Sequence, residues 1–130
     1  KQLEFRIKFI DSVHPNHIFS VCKLADMGIA PIQNLCKSYY LSLPNKIFEY
    51  IHSELPVLVS DFPEMKNIIE NYSVGEVFNA DEPSSLIEEI NNYYDNPDKI
   101  IKYKKNCFKA SKNLNWDNEE KLLFNLYNHL

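Results

Sequence analysis

Between Leu43 and Asp61 the chain reads LPNKIFEYIHSELPVLVSD, a proline-started helix running into a short, wholly apolar strand. A strand without polar alternation must be covered on both faces, which is the situation of a parallel strand inside an α/β layer. A second such run, Met27–Ile32 (MGIAPI), precedes the helix. Strand, crossover helix and strand in that order restrict the chain to parallel-sheet architectures.

The flanking segments extend this pattern. Phe5–Val13 (FRIKFIDSV) alternates and is rich in aromatic and β-branched residues, so it reads as a strand. Pro15 suits the first position of a helix whose buried face carries Ile18, Val21, Cys22 and Ala25. Gln33–Leu43 has no period and reads as a loop following a parallel strand, the place where α/β proteins carry their sites. After Val57–Ser60 come a short helix over Glu64–Glu70 and a strand over Val74–Phe78. Asp81, Pro83 and Ser84 start a helix with a Leu86, Ile87, Ile90, Tyr94 stripe. Asn96-Pro97 breaks it and begins another, with Ile100, Ile101, Lys104 and Phe108 along its length. Asn113–Asn115 is a further break. Trp116–Leu130 then forms a last helix with Leu122, Leu123, Leu126, Tyr127 and Leu130 facing inward. The expected fold is an α/β, Rossmann-like parallel sheet of about four strands flanked by helices, helical at its carboxy-terminal end.

Composition narrows the function. With 130 residues, 45% of them hydrophobic, the chain suffices for one domain or part of a larger one and is not disordered. A net charge of −4 disfavours nucleic acid as a partner. No long apolar run and no charged-then-apolar leader is present, so a spanning segment or secretion signal is not expected. Cys22, Cys36 and Cys107 are far apart and odd in number, which fits reduced cytosolic thiols rather than a zinc site; no metal and no cofactor is expected. Two glycines in the whole chain leave no phosphate-cradling Gly-rich loop. His14, His17, His52 and His129 show no metal-binding or catalytic spacing, and Tyr93-Tyr94 reads as core and edge.

Chemistry is therefore sought at the helix that starts at Pro44. Helix N-termini offer unpaired N–H groups and the positive end of the dipole, and so attract anions. Lys46 in the first turn opposes that dipole; it fits either an anionic ligand such as a diphosphate or an i+3 pair with Glu49. Glu49 faces the same side and suits either the vicinal hydroxyls of a ribose or the same ion pair. Asp61 ends the following strand and reads as a cap for the Phe62-Pro63 turn rather than as a ligand group.

In order along the chain, LPNKIFEYIHSELPVLVSD, FPEMKNIIENYSVGEVFNADEPSSL and NWDNEEKLLFNLYNHL resemble the carboxy-terminal domain of family 4 glycosyltransferases of the GT-B fold. The resemblance spans about Val13 to Leu130, and its most specific part is Pro-x-Lys-x-x-Glu-Tyr followed by Leu-Pro-Val-Leu-Val-Ser-Asp. It implies a partial donor-binding domain, 1–130, of a retaining, metal-independent, hexosyltransferase-like enzyme. Its donor would be a UDP- or GDP-linked sugar. Its acceptor would be a glycan or lipid-linked molecule in bacterial capsule- or lipopolysaccharide-type synthesis. Glu49 matches the second glutamate of the family's Glu-x7-Glu motif and would contact the donor ribose. Lys46 would neighbour the diphosphate, and Ser42, Pro44 and Asn45 would approach diphosphate and sugar.

The resemblance also implies a cytoplasmic protein, peripheral at the inner membrane face. Three departures stand out. The motif's first glutamate is replaced by Leu41, as in a subset of capsule-type transferases with Leu-Pro-Asn-Lys. The small residues that end the helix in the family are His52, Ser53 and Glu54 here, so a left-handed cap at Glu54 is costly. An amino-terminal acceptor domain and two strands of the sheet are not in these residues. That gap implies an inactive fragment with either a rearranged edge strand or a partner chain, such as a homodimer by strand exchange. A non-catalytic interaction module and a flavodoxin-like regulatory domain are the competing readings.

Overall fold

A computed structural model describes residues 6–129 of the chain. Its elements are a 3-10 turn (Pro15–His17), α1 (Ile18–Cys22), β1 (Gly28–Ala30), α2 (Lys37–Tyr40), α3 (Asn45–His52), β2 (Val57–Ser60), α4 (Pro63–Tyr72), β3 (Gly75–Phe78), α5 (Pro83–Asp95), α6 (Pro97–Ser111) and α7 (Trp116–Asn128). The strands form a parallel sheet in the order β1-β2-β3. Val57 pairs with Gly28 on one side and Gly75 on the other.

Every residue of β2 is buried, which is why its sequence shows no alternation. Val57 and Val59 pack with Ile47 and Ile51 of α3 and Met65 and Ile69 of α4. Cys107 and Ala110 of α6 complete this core. Leu58 lies on the opposite pleat and is paired with Glu76 of β3. Glu76 accepts a hydrogen bond from the Tyr103 hydroxyl at 2.5 Å and forms an ion pair with Lys99, tying α6 to the sheet. The Lys99 ammonium lies 5.9 and 6.0 Å from the ring centroids of Tyr93 and Tyr103.

Local sequence explains the boundaries. Pro63, Pro83 and Pro97 each occupy the first turn of a helix, where a missing N–H costs nothing. The Asn115 side chain accepts the Asn118 N–H at 3.0 Å and starts α7. Both glycines sit where a side chain has no room. A Cβ on Gly28 would lie 2.4 Å from the Tyr50 ring, and one on Gly75 would lie 1.7 Å from the Val57 carbonyl oxygen.

Several expectations are corrected. Residues 7–13 form no strand and are largely exposed, so the described sheet has three strands rather than four; Phe5 lies outside the described residues. An alternating pattern forms a strand only where a neighbouring edge accepts it. The Gln33–Leu43 loop contains the one-turn helix α2. On α5 the buried residue is Tyr93, whereas Ile87 and Tyr94 are exposed. On α6 the inward face is Tyr103, Cys107 and Ala110, and Ile101 and Phe108 face outward. On α7 Leu122, Leu123, Leu126 and Tyr127 are exposed, and Leu130 lies outside the described residues.

The end of α3 meets the expectation drawn from the missing small residue. Glu54 has φ 58°, in the left-handed region. Its N–H donates to Ile51 and the Leu55 N–H donates to Tyr50, both at 3.0 Å, the pairing of a Schellman motif. A left-handed conformation costs a residue with a Cβ roughly 1 kcal/mol relative to glycine. Glu54→Gly is therefore expected to raise stability by about 1 kcal/mol in a urea titration, and an unchanged midpoint would contradict this.

The buried Cys107 sets an alkaline limit. Its thiol lies 3.5 Å from the Leu55 carbonyl and 3.7 Å from that of Val74. Burial pushes its pKa up from 9.0 to about 12, with a smaller push from Glu54. Above pH 9 the unfolded chain releases this proton while the folded chain keeps it, so stability is full below that pH and falls as pH rises towards 12. Burial raises Tyr93 and Tyr103 as well, adding to the fall at still higher pH. Urea midpoints should drop between about pH 8 and about pH 10.5, and in the folded state Cys36 should react with a thiol reagent while Cys107 does not. A flat alkaline profile would refute the burial argument.

Candidate functional site

All three strands run the same way, so the carboxyl ends at Ala30, Ser60 and Phe78 share one rim of the sheet. The segment leaving β1 crosses this rim and returns as α3, which puts the α3 amino terminus beside it. Ser60 fixes the crossing. Its buried hydroxyl accepts the Ile32 N–H at 2.9 Å and donates to the Ile32 carbonyl at 2.7 Å.

Beyond Ile32 the chain encloses an open cleft of about 440 Å³, lined by Pro31, Ile32, Gln33, Leu35, Tyr39, Ser42 and Pro44. Its walls are mainly apolar, with Gln33, Tyr39 and Ser42 as polar groups. The Ser42 hydroxyl donates to the Tyr39 carbonyl at 2.7 Å, which holds the turn from α2 into Pro44. The Tyr40 ring packs on Phe62 with centroids 5.4 Å apart, linking this turn to the end of β2.

Helix α3 starts uncapped. Pro44 at the cap position has no side-chain group to accept an amide, and the first turn holds no acidic residue. Asn45 and Lys46 are exposed there, and Glu49 is half-buried one turn on. Among the described residues no ion pair joins Lys46 to Glu49. The surface-pair reading of these two side chains therefore has no contact behind it. An uncapped N-terminus with an exposed ammonium and no carboxylate in its first turn is suited to an anion.

Of the five residues read as substrate-binding, Ser42 and Pro44 line the cleft, and Asn45 and Lys46 form the first turn of the adjoining helix. Glu49 lies on the same helix without lining the cleft. Leu41 ends α2, close to half exposed. Asp61 is no cap for Phe62-Pro63; its carboxylate accepts the Ala80 N–H at 3.1 Å and binds the end of β3 to that of β2. His52 is half-buried, with Nε2 2.7 Å from the Leu114 carbonyl, a contact that ties the end of α3 to the turn before α7.

Two residues that shape the site escaped the sequence reading. Ser60 signals itself only as a hydroxyl ending an apolar strand. Tyr50 covers Gly28 and points its hydroxyl at the Ile29 carbonyl, 3.4 Å away. Burial, with lesser contributions from Cys22 and Glu49, raises the Tyr50 pKa. Among the described residues no group of three or more histidine, cysteine or acidic side chains is placed to hold a metal ion.

The sequence model of the family described as "Glycosyl transferases group 1" matches residues 1–96. The match takes in the sheet, the cleft and α3 and stops before α6 and α7, so it is displaced from the 13–130 span of the resemblance. No curated protein and no solved structure gives a significant match.

Proposed function

The chain belongs to the glycosyl transferases of group 1, and from that premise we propose that the α3 amino terminus and its cleft bind a nucleotide-sugar donor. The observation that carries this reading is the uncapped first turn of α3 with its exposed, unpaired-by-Glu49 lysine, set beside a cleft at the carboxyl rim of the sheet. Ligands of open α/β sheets bind at that rim.

In this reading the Asn45 and Lys46 amides and the Lys46 ammonium hold the diphosphate. The sugar enters the cleft by Ser42 and Pro44. Glu49 accepts the ribose hydroxyls, a role for an acceptor-only group with a two-donor partner. No chain group is assigned to the chemical step. The domain is then the donor half of a family 4, GT-B, hexosyltransferase-like enzyme that retains anomeric configuration. The acceptor, a glycan or lipid-linked molecule of capsule- or lipopolysaccharide-type synthesis, would be bound by residues outside 1–130. These residues alone would be inactive. A cytoplasmic enzyme at the inner membrane face fits that acceptor; among the described residues no helix is long and apolar enough to cross a membrane.

Calorimetric titration with UDP, GDP and their sugar conjugates tests the reading. Binding of one of them is expected, weakened about tenfold in Glu49→Ala, the loss of a charge-assisted hydrogen bond. Absence of binding by every nucleotide in the intact parent protein would overturn it in favour of an interaction module.

A further inference from the structure

The cleft beside the α3 amino terminus offers a ligand few hydrogen bonds. Pro31 and Pro44 have no N–H. The Ile32 N–H and carbonyl are both held by the Ser60 hydroxyl. The Leu35 N–H donates to the Gln33 carbonyl at 2.9 Å, and the Tyr39 N–H to the Cys36 carbonyl at 3.0 Å. The Ser42 N–H and hydroxyl both donate to the Tyr39 carbonyl, at 3.1 and 2.7 Å. Among the described residues that line the cleft, Gln33 and Tyr39 keep a side-chain donor for a ligand, and no charged side chain is present. The rest of the wall is hydrocarbon. Leu35 is 71% exposed, so it holds apolar surface that a ligand could cover.

We propose that the sugar taken by this cleft is an N-acetylhexosamine, lodged with its acetamido group against the wall. The inference rests on the donor-site reading and names the class of sugar within it. An acetamido group presents one N–H, one carbonyl and one methyl. The Gln33 carboxamide carries an acceptor and donors together, so it pairs with both the N–H and the carbonyl. The methyl then covers Leu35 and Ile32, where removing apolar surface from water is favourable. A sugar hydroxyl in the same place would face hydrocarbon and lose its water without a full set of partners. A 6-deoxy sugar would supply a methyl and leave the Gln33 amide unpaired. Hydroxyls on the open side of the cleft stay in water, so the selection acts on the edge that meets the wall. At about 440 Å³ the cleft has room for one monosaccharide so substituted.

Calorimetric titration of this chain with paired donors is the test: UDP-N-acetylglucosamine against UDP-glucose, and UDP-N-acetylgalactosamine against UDP-galactose. In at least one pair the acetamido sugar is expected to bind about tenfold more tightly, the joint effect of one buried methyl and one amide pairing. Gln33→Leu keeps the hydrocarbon and removes the amide, and should cut that ratio to about threefold. Leu35→Asn, at an exposed position, should cut it to about threefold through the methyl contact. Lys66→Glu on α4, outside the cleft, should keep the full ratio. Each ratio is read within one variant, so a change that only lowers the folded fraction leaves it unaltered.

Equal affinity within both pairs, with UDP itself binding, would overturn the sugar assignment and leave the donor site standing. So would a tenfold ratio that survives both Gln33→Leu and Leu35→Asn. Binding of GDP-mannose or GDP-fucose without either acetamido donor would overturn it as well, and a preference for GDP-fucose would give the apolar wall to a deoxy sugar. Absence of binding by UDP, GDP and every conjugate would overturn the donor site and this assignment together.

Discussion

Gly75→Ala is expected to leave the chain without a cooperative native fold. The added Cβ would meet three backbone atoms of Val57, at 1.7, 2.7 and 2.9 Å, and no side chain can swing aside to relieve them. Relief requires β3 to move away from β2, which breaks the ladder from Val57-Gly75 to Ser60-Phe78. It also pulls Val74 out of the core. A loss above about 4 kcal/mol follows, against a typical total of about 5–15 kcal/mol. Far-UV circular dichroism and a guanidinium titration would show a lost or strongly shifted transition. Gly28→Ala is the graded control, because its Cβ would first meet the Tyr50 side chain, at 2.4–2.8 Å, rather than backbone. It should destabilise the chain less and still unfold cooperatively. Equal midpoints for Gly75→Ala and the parent would mean that the strands separate freely at Val57.

The second large effect is expected at Ser60. Its hydroxyl is fully buried and serves both backbone groups of Ile32. Ser60→Ala removes one oxygen and leaves the partly buried N–H and carbonyl of Ile32 without this partner, each costing about 1–2 kcal/mol. A total loss of about 2–4 kcal/mol should appear as a lower denaturation midpoint with unchanged slope. Because Ile32 lines the cleft, the same variant should weaken donor binding even though Ser60 is no part of the proposed contact set. Ser60→Thr keeps the hydroxyl and should recover part of both effects. If Ser60→Ala kept full stability, a water or a shifted backbone would have to satisfy Ile32.

These two residues also mark how far the sequence could be read. Gly75 and Ser60 were visible, but the clash and the clamp that explain them are contacts between strands distant in sequence. The strand Val57–Ser60 and the helix breaks at Asn96-Pro97 and Asn113–Asn115 were legible because proline, asparagine and an unbroken apolar run act locally. Along α6 the sequence marks apolar positions without naming the inward face, for a physical reason. Both of its sides carry apolar residues, and the inward choice was made by Tyr103 reaching Glu76 and by Cys107 fitting between β2 and β3. The apolar stripe of α7 was read correctly as a stripe and wrongly as buried, since periodicity names a face without naming what covers it. At the site, the open start of α3 was legible from Pro44 and Lys46, whereas the cleft owes its shape to α2, a single turn too short to show a period.

The short first strand has a consequence for the chain's behaviour in crowded solution. β1 contributes only Gly28–Ala30, and among the described residues no strand pairs with its outer side. An exposed edge templates aggregation in proportion to the run of backbone groups it offers. Three residues span about 10 Å, enough for one or two ladder bonds to a neighbouring chain and too few for a stable cross-β contact. This edge is thus guarded by brevity, and Pro31 directly after it offers no N–H to extend it. Any pressure towards clumping falls instead on side chains such as those exposed along α7, where a few polar substitutions would relieve it and leave the sheet untouched.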